Sequence, residues 1–470
     1  MTAPSTARGS TRDTGRWIEH WDPEDEGFWE SRGRRTARRN LILSVISEHI
    51  GFSVWSMFSV LALFMGPEYG IDPAGKFFLV AVASLVGATL RVPYGFAVAR
   101  FGGRNWTVIS AAMLLVPTVA LLAVMEPGTS YTTFMLVAVL TGVGGANFAS
   151  SMTNINSFYP LRLKGWALGM NAGGGNIGVA VVQLVGLLII AVAGAAQPRL
   201  LLAAYVPLIV VATVLSARYM DNLGPVRNDT GAFRESVRDG HTWIMAFLYI
   251  GTFGSFIGYS FAFGLVLQNQ FDRTPLQAAS LTFIGPLLGS LIRPVGGRLA
   301  DRLGGAKVTL WNFAAMTGAV GIVVAASVRE SLPLFIAGFI VLFVLTGLGN
   351  GSTFKMIPGI FQAKAHARGL RGEAAAVHAR RLSGASMALI GAVGGFGGVG
   401  INMALRQSFL SSGSGTGAFV VFLGYYVACA AVTWFVYLRR TAPAPAAESS
   451  PGGGRTAPAE QEARPAYAEV

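Results

Sequence analysis

Charge and cysteine are what this sequence has least of. Only 13% of its 470 residues are Asp, Glu, Lys or Arg, and its one cysteine is Cys429. A single cysteine excludes a disulfide framework and a cysteine-based metal site. The five scattered histidines offer no metal cluster, and neither a Ser/His/Asp set nor a phosphate loop is present. We therefore expect no enzyme, no cofactor and no bound metal.

Apolar residues and glycine are abundant instead. Hydrophobic residues make up 52% of the chain and glycines number 60, which is typical of a polytopic helical membrane protein. A run of about 20 apolar residues is long enough to cross a bilayer. Such runs predict twelve spanning helices, at 41–66, 76–98, 106–125, 131–157, 166–193, 198–218, 241–267, 277–297, 307–327, 332–357, 383–405 and 415–438.

The net charge of +13 has a topological explanation. Lys and Arg are concentrated in alternate loops, including a cluster between the tenth and eleventh helices, and this pattern orients membrane proteins. We therefore expect no nucleic-acid partner and a multi-pass protein in the lipid bilayer of the cytoplasmic membrane, with both termini in the cytoplasm. We also expect a monomer. The predicted organisation is a cytoplasmic N-terminal segment, a six-helix bundle, a cytoplasmic linker, a second six-helix bundle and a disordered tail, at 1–35, 36–220, 221–240, 241–440 and 441–470.

Two arginines reveal an internal duplication. Arg91 and Arg293 lie 202 residues apart, each inside an apolar stretch, and each is followed nine residues later by Arg100 or Arg302 in a Gly-rich turn. Nine residues of helix span about 13 Å, so Arg91 and Arg293 should lie near the bilayer midplane. Transporters built from repeats bind substrate there, where the halves meet. Two forked guanidinium groups suit a small, planar oxyanion.

The turns themselves resemble a known signature. GGRLADRLGGAKV (296–308) is similar to the loop motif after helices 2 and 8 of the major facilitator superfamily, and GFAVARFGGR (95–104) is its counterpart. The second copy contains the acidic and basic pair Asp301 and Arg302. The first copy retains Arg100 but has Ala99 where the acid is expected. The resemblance implies twelve helices in two pseudo-symmetric bundles, with these residues at a cytoplasmic gate.

Two glycine-rich stretches narrow the resemblance to the nitrate/nitrite porter family. GWALGMNAGGGNI (165–177) and GASMALIGAVGGF (384–396) match its signature stretches, and the agreement extends over about residues 36–438. Small residues let membrane helices approach closely, so each glycine could simply be a packing contact. The resemblance implies that together they allow helices 5 and 11 to slide. The signature glycines are Gly165, Gly169, Gly173, Gly175, Gly384, Gly391, Gly394 and Gly395.

The family's site can be carried over residue by residue. The resemblance implies that Arg91 and Arg293 clamp the anion and that Phe148 stacks on its plane. Tyr249 and Phe253 match the pocket tyrosine and phenylalanine, and Asn176 matches the pocket asparagine. An aromatic slot with hydroxyl and amide donors favours a flat anion such as nitrate or nitrite over a tetrahedral one.

The coupling mechanism has two candidate forms. Two buried arginines without a nearby acid make an empty carrier costly to reorient, which favours nitrate/nitrite exchange. Alternatively, Glu48 lies nine residues beyond Arg39 in the first helix, with His49 beside it, and either side chain could carry a proton in nitrate/proton symport. The same scaffold could also carry another small organic anion or a drug.

Overall fold

The fold is an all-α membrane architecture of twelve long helices. The computed structural model describes residues 16–224, 226 and 228–439, so the predicted tail lies outside the described residues. The helices that are long and apolar enough to span a membrane are α1 Glu26–Phe64, α2 Pro73–Phe101, α3 Gly103–Val124, α4 Tyr131–Phe158, α5 Arg162–Ala193, α6 Arg199–Tyr219, α7 Gly240–Gln270, α8 Pro275–Leu303, α9 Gly305–Val328, α10 Leu332–Ala367, α11 Gly372–Ser412 and α12 Thr416–Leu438. The predicted twelve helices are confirmed.

Helix ends follow local sequence signals. The Asp72 carboxylate accepts a hydrogen bond from the Gly75 amide (2.7 Å) at the start of α2, and Thr274 forms a capping box at the start of α8. Both helices stop at a glycine with positive φ, Gly102 at 86° and Gly304 at 88°. Glycine is the residue that adopts this conformation without strain. The duplicated turn thus has the same backbone form in both halves.

Three connecting segments contain more structure than the apolar pattern predicts. The basic cluster between the tenth and eleventh helices was expected to be a loop, but α10 and α11 extend through it and leave only residues 368–371 between them. A run of apolar residues marks only the part of a helix that lies inside the membrane, so the polar extensions of α10 and α11 are not predicted by it. The linker contains a helix, Thr230–Arg238, called the linker helix below. In the N-terminal segment, Trp17–Ile18 pairs in parallel with Asn222–Leu223.

The two six-helix bundles meet along α2 with α11 and α5 with α8. We call the side of the molecule that carries the linker the linker face, and the other side the opposite face. Near the opposite face the bundles are joined by stacked rings of Phe77 and Phe409, 5.3 Å between centroids. Gln268 Nε2 also donates a hydrogen bond to the Leu63 carbonyl (3.2 Å). The bundles are therefore packed together at this end.

Two glycines that face each other, Gly254 of α7 and Gly397 of α11, fix how closely these helices cross. A Cβ atom added to Gly397 would lie 2.5 Å from Gly254 Cα, and one added to Gly254 would lie 2.7 Å from Gly397 Cα. Both contacts involve backbone, which cannot rotate away as a side chain can. A Cβ atom added to Gly400, one turn further along α11, would have no neighbouring atom within 4 Å.

We expect Gly397→Ala to destabilise the protein by about 1–3 kcal/mol, because the extra methyl group overpacks the crossing. Thermal unfolding of the purified protein in detergent measures the effect. Gly400→Ala is the matched control and should melt like the wild type. Equal melting temperatures for the two variants would contradict the proposed crossing.

Candidate functional site

Arg91 is buried between the two bundles. It lies on α2 and is only 1% exposed. Its Nε donates to the Gly145 carbonyl of α4 (3.1 Å), and its Nη1 donates to the Gly391 carbonyl of α11 (2.6 Å). One arginine of the first bundle is thus hydrogen-bonded to the backbone of the second.

Three aromatic rings surround the Arg91 guanidinium. Its central carbon lies 4.8 Å from the ring centre of Phe148, 5.0 Å from Phe253 and 5.3 Å from Trp55. A ring face attracts a cation more strongly where water is excluded. Trp55 was not among the predicted site residues, although it follows Glu48 by two helical turns. Its indole N–H donates to the Ala83 carbonyl (2.9 Å), which fixes the ring.

Arg293 occupies the equivalent place in the second bundle. It lies on α8, is 7% exposed, and its Nη2 donates to the Tyr249 hydroxyl (3.3 Å). Its guanidinium carbon lies 5.8 Å from the ring of Phe354, another residue that the sequence did not single out for this site. The Tyr249 and Phe253 rings are stacked at 5.3 Å and 12°. Because Phe253 also faces Arg91, this aromatic pair connects the surroundings of the two arginines.

A single π-helical turn positions that aromatic pair. The wider turn spans Ile250–Gly254 within α7, and such turns are frequent at functional sites. The adjacent α11 approaches closely because it lacks side chains there. A Cβ on Gly394 would lie 2.5 Å from the Tyr249 ring, and one on Gly395 would lie 3.0 Å from Ala88 Cβ.

The signature glycines divide into two groups. Gly391, Gly394 and Gly395 pack near the arginines, and a Cβ on Gly175 would lie 2.2 Å from a Glu48 carboxylate oxygen. The remaining members of the set have no atom within 4 Å of an added Cβ: Gly165, Gly169, Gly173 and Gly384. Tight packing therefore accounts for Gly175, Gly394 and Gly395; a Cβ on Gly391 would lie at an ordinary 3.5 Å from the Phe148 ring, and the second group has open space.

Asn176 is brought into the interior but not onto the arginines. It is 1% exposed, and no hydrogen bond joins it to Arg91 or Arg293 in the part of the chain that the structure describes. Its Oδ1 atom has no hydrogen-bond partner among those residues. The same is true of Arg91 Nη2 and Arg293 Nη1, so each arginine retains an uncommitted donor.

Glu48 and His49 lie against α5. One Glu48 carboxylate oxygen accepts a hydrogen bond from Asn171 Nδ2 (2.7 Å), and the other has no partner among residues 16–224, 226 and 228–439. Within those same ranges, Glu48 makes no ion pair. His49 Nδ1 lies 3.3 Å from the Gly174 carbonyl oxygen. Among the described residues, Glu48 is therefore hydrogen-bonded to a neutral amide and attracted by Arg91 and Arg293 from beyond ion-pair distance.

The duplicated turns differ in their contacts. Asp301 pairs with Lys355 of α10 (3.0 Å). In the first copy, where Ala99 replaces the acid, Arg104 instead donates to the Ala217 carbonyl at the end of α6 (2.6 Å). Arg100 and Arg302 are exposed, and neither forms an ion pair with any described residue.

A cavity of about 330 Å³ runs from Arg91 and Phe148 to the linker face, where Arg380 and Arg381 line it. The linker helix lies beside this mouth. Asp229, just before it, pairs with Arg381 (Oδ1 to Nη2, 2.9 Å), and Phe233 packs edge-on against Phe96 of α2 (5.1 Å). The linker is therefore attached to both bundles. The Arg381 hydrogen bonds lower the pKa of Asp229 to about 2.

Two helical bundles around a central site of buried, opposed cations define a membrane carrier. The sequence model of the Major Facilitator Superfamily matches residues 45–379, and relatives named as nitrate/nitrite transporters extend the match over most of the chain. The chain therefore belongs to the Major Facilitator Superfamily and, within it, to the nitrate/nitrite porter family.

The relatives and solved structures agree with this assignment. "Nitrate/nitrite transporter NarU" of Salmonella typhimurium is 40% identical over 90% of this chain and 96% of its own. NarU of Escherichia coli is 38% identical over the same shares. "Probable nitrate/nitrite antiporter NarK2" of Thermus thermophilus is 35% identical over 78% and 87%. The crystal structures of the human organic anion transporter MFSD10 and of a D-xylose-proton symporter each align with TM-score 0.60 at 10% and 16% identity. They cover 86% and 87% of this chain and 99% and 97% of their own, and show the shared fold. The predicted family, and a membrane carrier rather than an enzyme, are confirmed.

The contact between Asp229 and Arg381 should hold the linker helix at the mouth throughout the physiological pH range. A carboxylate with a lowered pKa adds stability above its unfolded pKa, about 3.9, and loses that contribution only as the pH falls through about 2. Spin labels at Val237 and Val377, both exposed, should therefore give one distance distribution between pH 5 and 8. Asp229→Asn should broaden it.

Glu126→Gln provides the control, because Glu126 pairs with Arg199 (2.8 Å) near the opposite face. This variant should leave the distribution unchanged. A distribution that shifts between pH 5 and 8 without any substitution would contradict the proposed contact.

Proposed function

We propose that the protein exchanges nitrate for nitrite across the cytoplasmic membrane by alternating access. The names of its relatives support these substrates, since two are nitrate/nitrite transporters and a third is a probable antiporter. We also propose a monomer with both termini in the cytoplasm. The proposed division is a bundle over 36–220 and a second over 241–440, joined by the linker 221–240.

The observation that carries the proposal is the placement of Arg91 and Arg293 on equivalent helices, both buried and both facing the aromatic pair of Tyr249 and Phe253. A planar anion between the guanidinium groups would accept hydrogen bonds from their free Nη atoms while its flat faces meet rings such as Phe148. Guanidinium groups bind planar oxyanions through paired hydrogen bonds. Tetrahedral anions lack a flat face for such a slot.

Several other residues have assigned roles. Asn176 supplies a further hydrogen-bonding side chain to the pocket once the bundles close on the anion. The glycines of α5 and α11 let these helices slide as the bundles rock. The turns with Arg100, Asp301 and Arg302 form part of the gate on the cytoplasmic side. Alternating access then exposes the anion site to one side of the membrane at a time, and the cavity that ends at Arg380 is the opening on the linker face.

Exchange follows from the electrostatics of an empty site. Among the described residues neither arginine forms an ion pair. Arg91 donates to the carbonyls of Gly145 and Gly391 and faces aromatic rings, and Glu48 attracts it from beyond ion-pair distance. Enclosing two cations that one carboxylate cannot neutralise between closing bundles is costly. A bound anion removes much of that cost, so the loaded carrier reorients faster than the empty one.

Nitrate/proton symport is the second candidate, and Glu48 is the observation that favours it. A buried carboxyl group held by Asn171 and without an ion pair can accept a proton without breaking a salt bridge. His49 lies beside it and is half-buried. In this mechanism the proton moves with nitrate and compensates its charge.

We expect nitrate uptake into liposomes to require internal nitrite or nitrate and to be insensitive to a pH gradient. Purified protein is reconstituted, and labelled nitrate entry is measured with and without an internal counter-anion. Arg91→Lys should reduce exchange about 10- to 100-fold, because it retains the charge but loses charge-assisted hydrogen bonds. Arg371→Lys, at an exposed turn, is the control. Substantial uptake into vesicles without a counter-anion would falsify exchange.

Glu48→Gln separates the two mechanisms. The substitution keeps the shape and the acceptor for Asn171 but cannot bind and release a proton. Under exchange, we expect nitrate/nitrite counterflow to continue at a similar rate in this variant. Uptake that is driven by a proton gradient in the wild type and abolished in Glu48→Gln would instead establish symport.

A further inference from the structure

A basic groove lies on the outer surface of the first bundle, away from the central site. It has a volume of about 620 Å³ and opens between α1 and the end of α6. The residues that matter here are four arginines and an isoleucine of α1 and a tyrosine of α6: Arg34, Arg35, Arg38, Arg39, Ile42 and Tyr219. The groove is thus located where two membrane helices reach the linker face.

The positive charge of this groove is only partly balanced. Arg39 pairs with Asp221 (2.5 Å), and Arg34 lies 3.7 Å from Glu30. Arg35 and Arg38 form no ion pair with any residue that the structure describes. Two guanidinium groups with five N–H donors each therefore face the groove without an acidic partner.

The spacing of these residues combines charge with an apolar surface. Arg35, Arg38 and Ile42 follow one another at three and four residues, so they share one face of α1. Ile42 lies about 6 Å deeper along the helix than Arg38 and is 50% exposed. At the other wall, Tyr219 is 47% exposed. A ligand that fits this surface has an anionic head and an apolar tail beneath it.

We propose that this groove binds an acidic glycerophospholipid, with its phosphate between Arg35 and Arg38 and an acyl chain along Ile42. Basic pockets between membrane helices recognise such headgroups. A soluble anion would use the arginines but would leave the isoleucine and its depth in the membrane unexplained. The site is separate from the proposed anion site and does not depend on which anion is transported.

Bound lipid would also join two elements of the first bundle. Asp221 follows α6 and forms ion pairs with Arg39 of α1 and with Arg16 of the N-terminal segment (3.6 Å). A lipid that binds these arginines of α1 and also contacts Tyr219 adds a second connection between α1 and α6. We therefore expect acidic lipid to raise the thermal stability of the purified protein, whereas a zwitterionic lipid has no net charge for the arginines to attract.

Native mass spectrometry of the full chain, with phosphatidylglycerol and phosphatidylcholine added in parallel, tests the site. The wild type should retain phosphatidylglycerol preferentially. Arg35→Gln combined with Arg38→Gln should weaken that binding about 25-fold, from about fivefold for each arginine near a membrane surface. The double lysine variant should bind nearly as well as the wild type, since it keeps both charges.

The control removes the same charge elsewhere on the linker face, with Arg371→Gln and Arg439→Gln, and should preserve the wild-type preference. An equal loss of phosphatidylglycerol binding in this control would show that the overall charge of the protein explains the effect, and would overturn the proposal. So would equal retention of the two lipids by the wild type. Finally, inorganic phosphate that stabilises the protein against heat as well as phosphatidylglycerol does would identify a site for soluble anions and overturn the assignment to lipid.

Discussion

Removing a guanidinium group from water and enclosing it within a membrane protein is costly, and much of this structure is arranged around two such groups. Arg91 donates hydrogen bonds to backbone carbonyls and faces aromatic rings, and Arg293 donates a hydrogen bond to a tyrosine hydroxyl. At Gly394, Gly395 and Gly397 of α11, a larger side chain would displace Tyr249 or a neighbouring helix. The close packing of α2 and α11 is thus inseparable from the burial of charge.

Much of the fold followed from elementary patterns. Hydrophobic run length predicted twelve spans, and the repeat of Arg91 and Arg293 was enough to identify the duplication. Connections were predicted less well, because apolar run length measures the membrane and not the helix. The long extensions of α10 and α11, the linker helix and the strand pairing of Trp17–Ile18 all lie outside the apolar core.

Individual site residues were accessible to sequence reasoning to different degrees. Charged residues within apolar runs stand out, so the arginines and Glu48 are easily found. Trp55 and Phe354 do not stand out, because an aromatic residue in a membrane helix is ordinary and only three-dimensional proximity to a cation distinguishes it. Asn176 illustrates the converse, since family resemblance placed it in the pocket while the described contacts leave it apart from both arginines.

The π-helical turn at Ile250–Gly254 has a consequence for how α7 evolves. Such a turn accommodates one residue more than the α-helical path between the same two points. Straightening the turn into a regular helix with all its residues retained would rotate everything beyond it by about 100° relative to Tyr249, whereas deleting one residue at the same time would keep the two ends in their present orientation. The two halves of α7 therefore belong to different helical phases, and a substitution that straightened the turn would misplace the residues on one side of it.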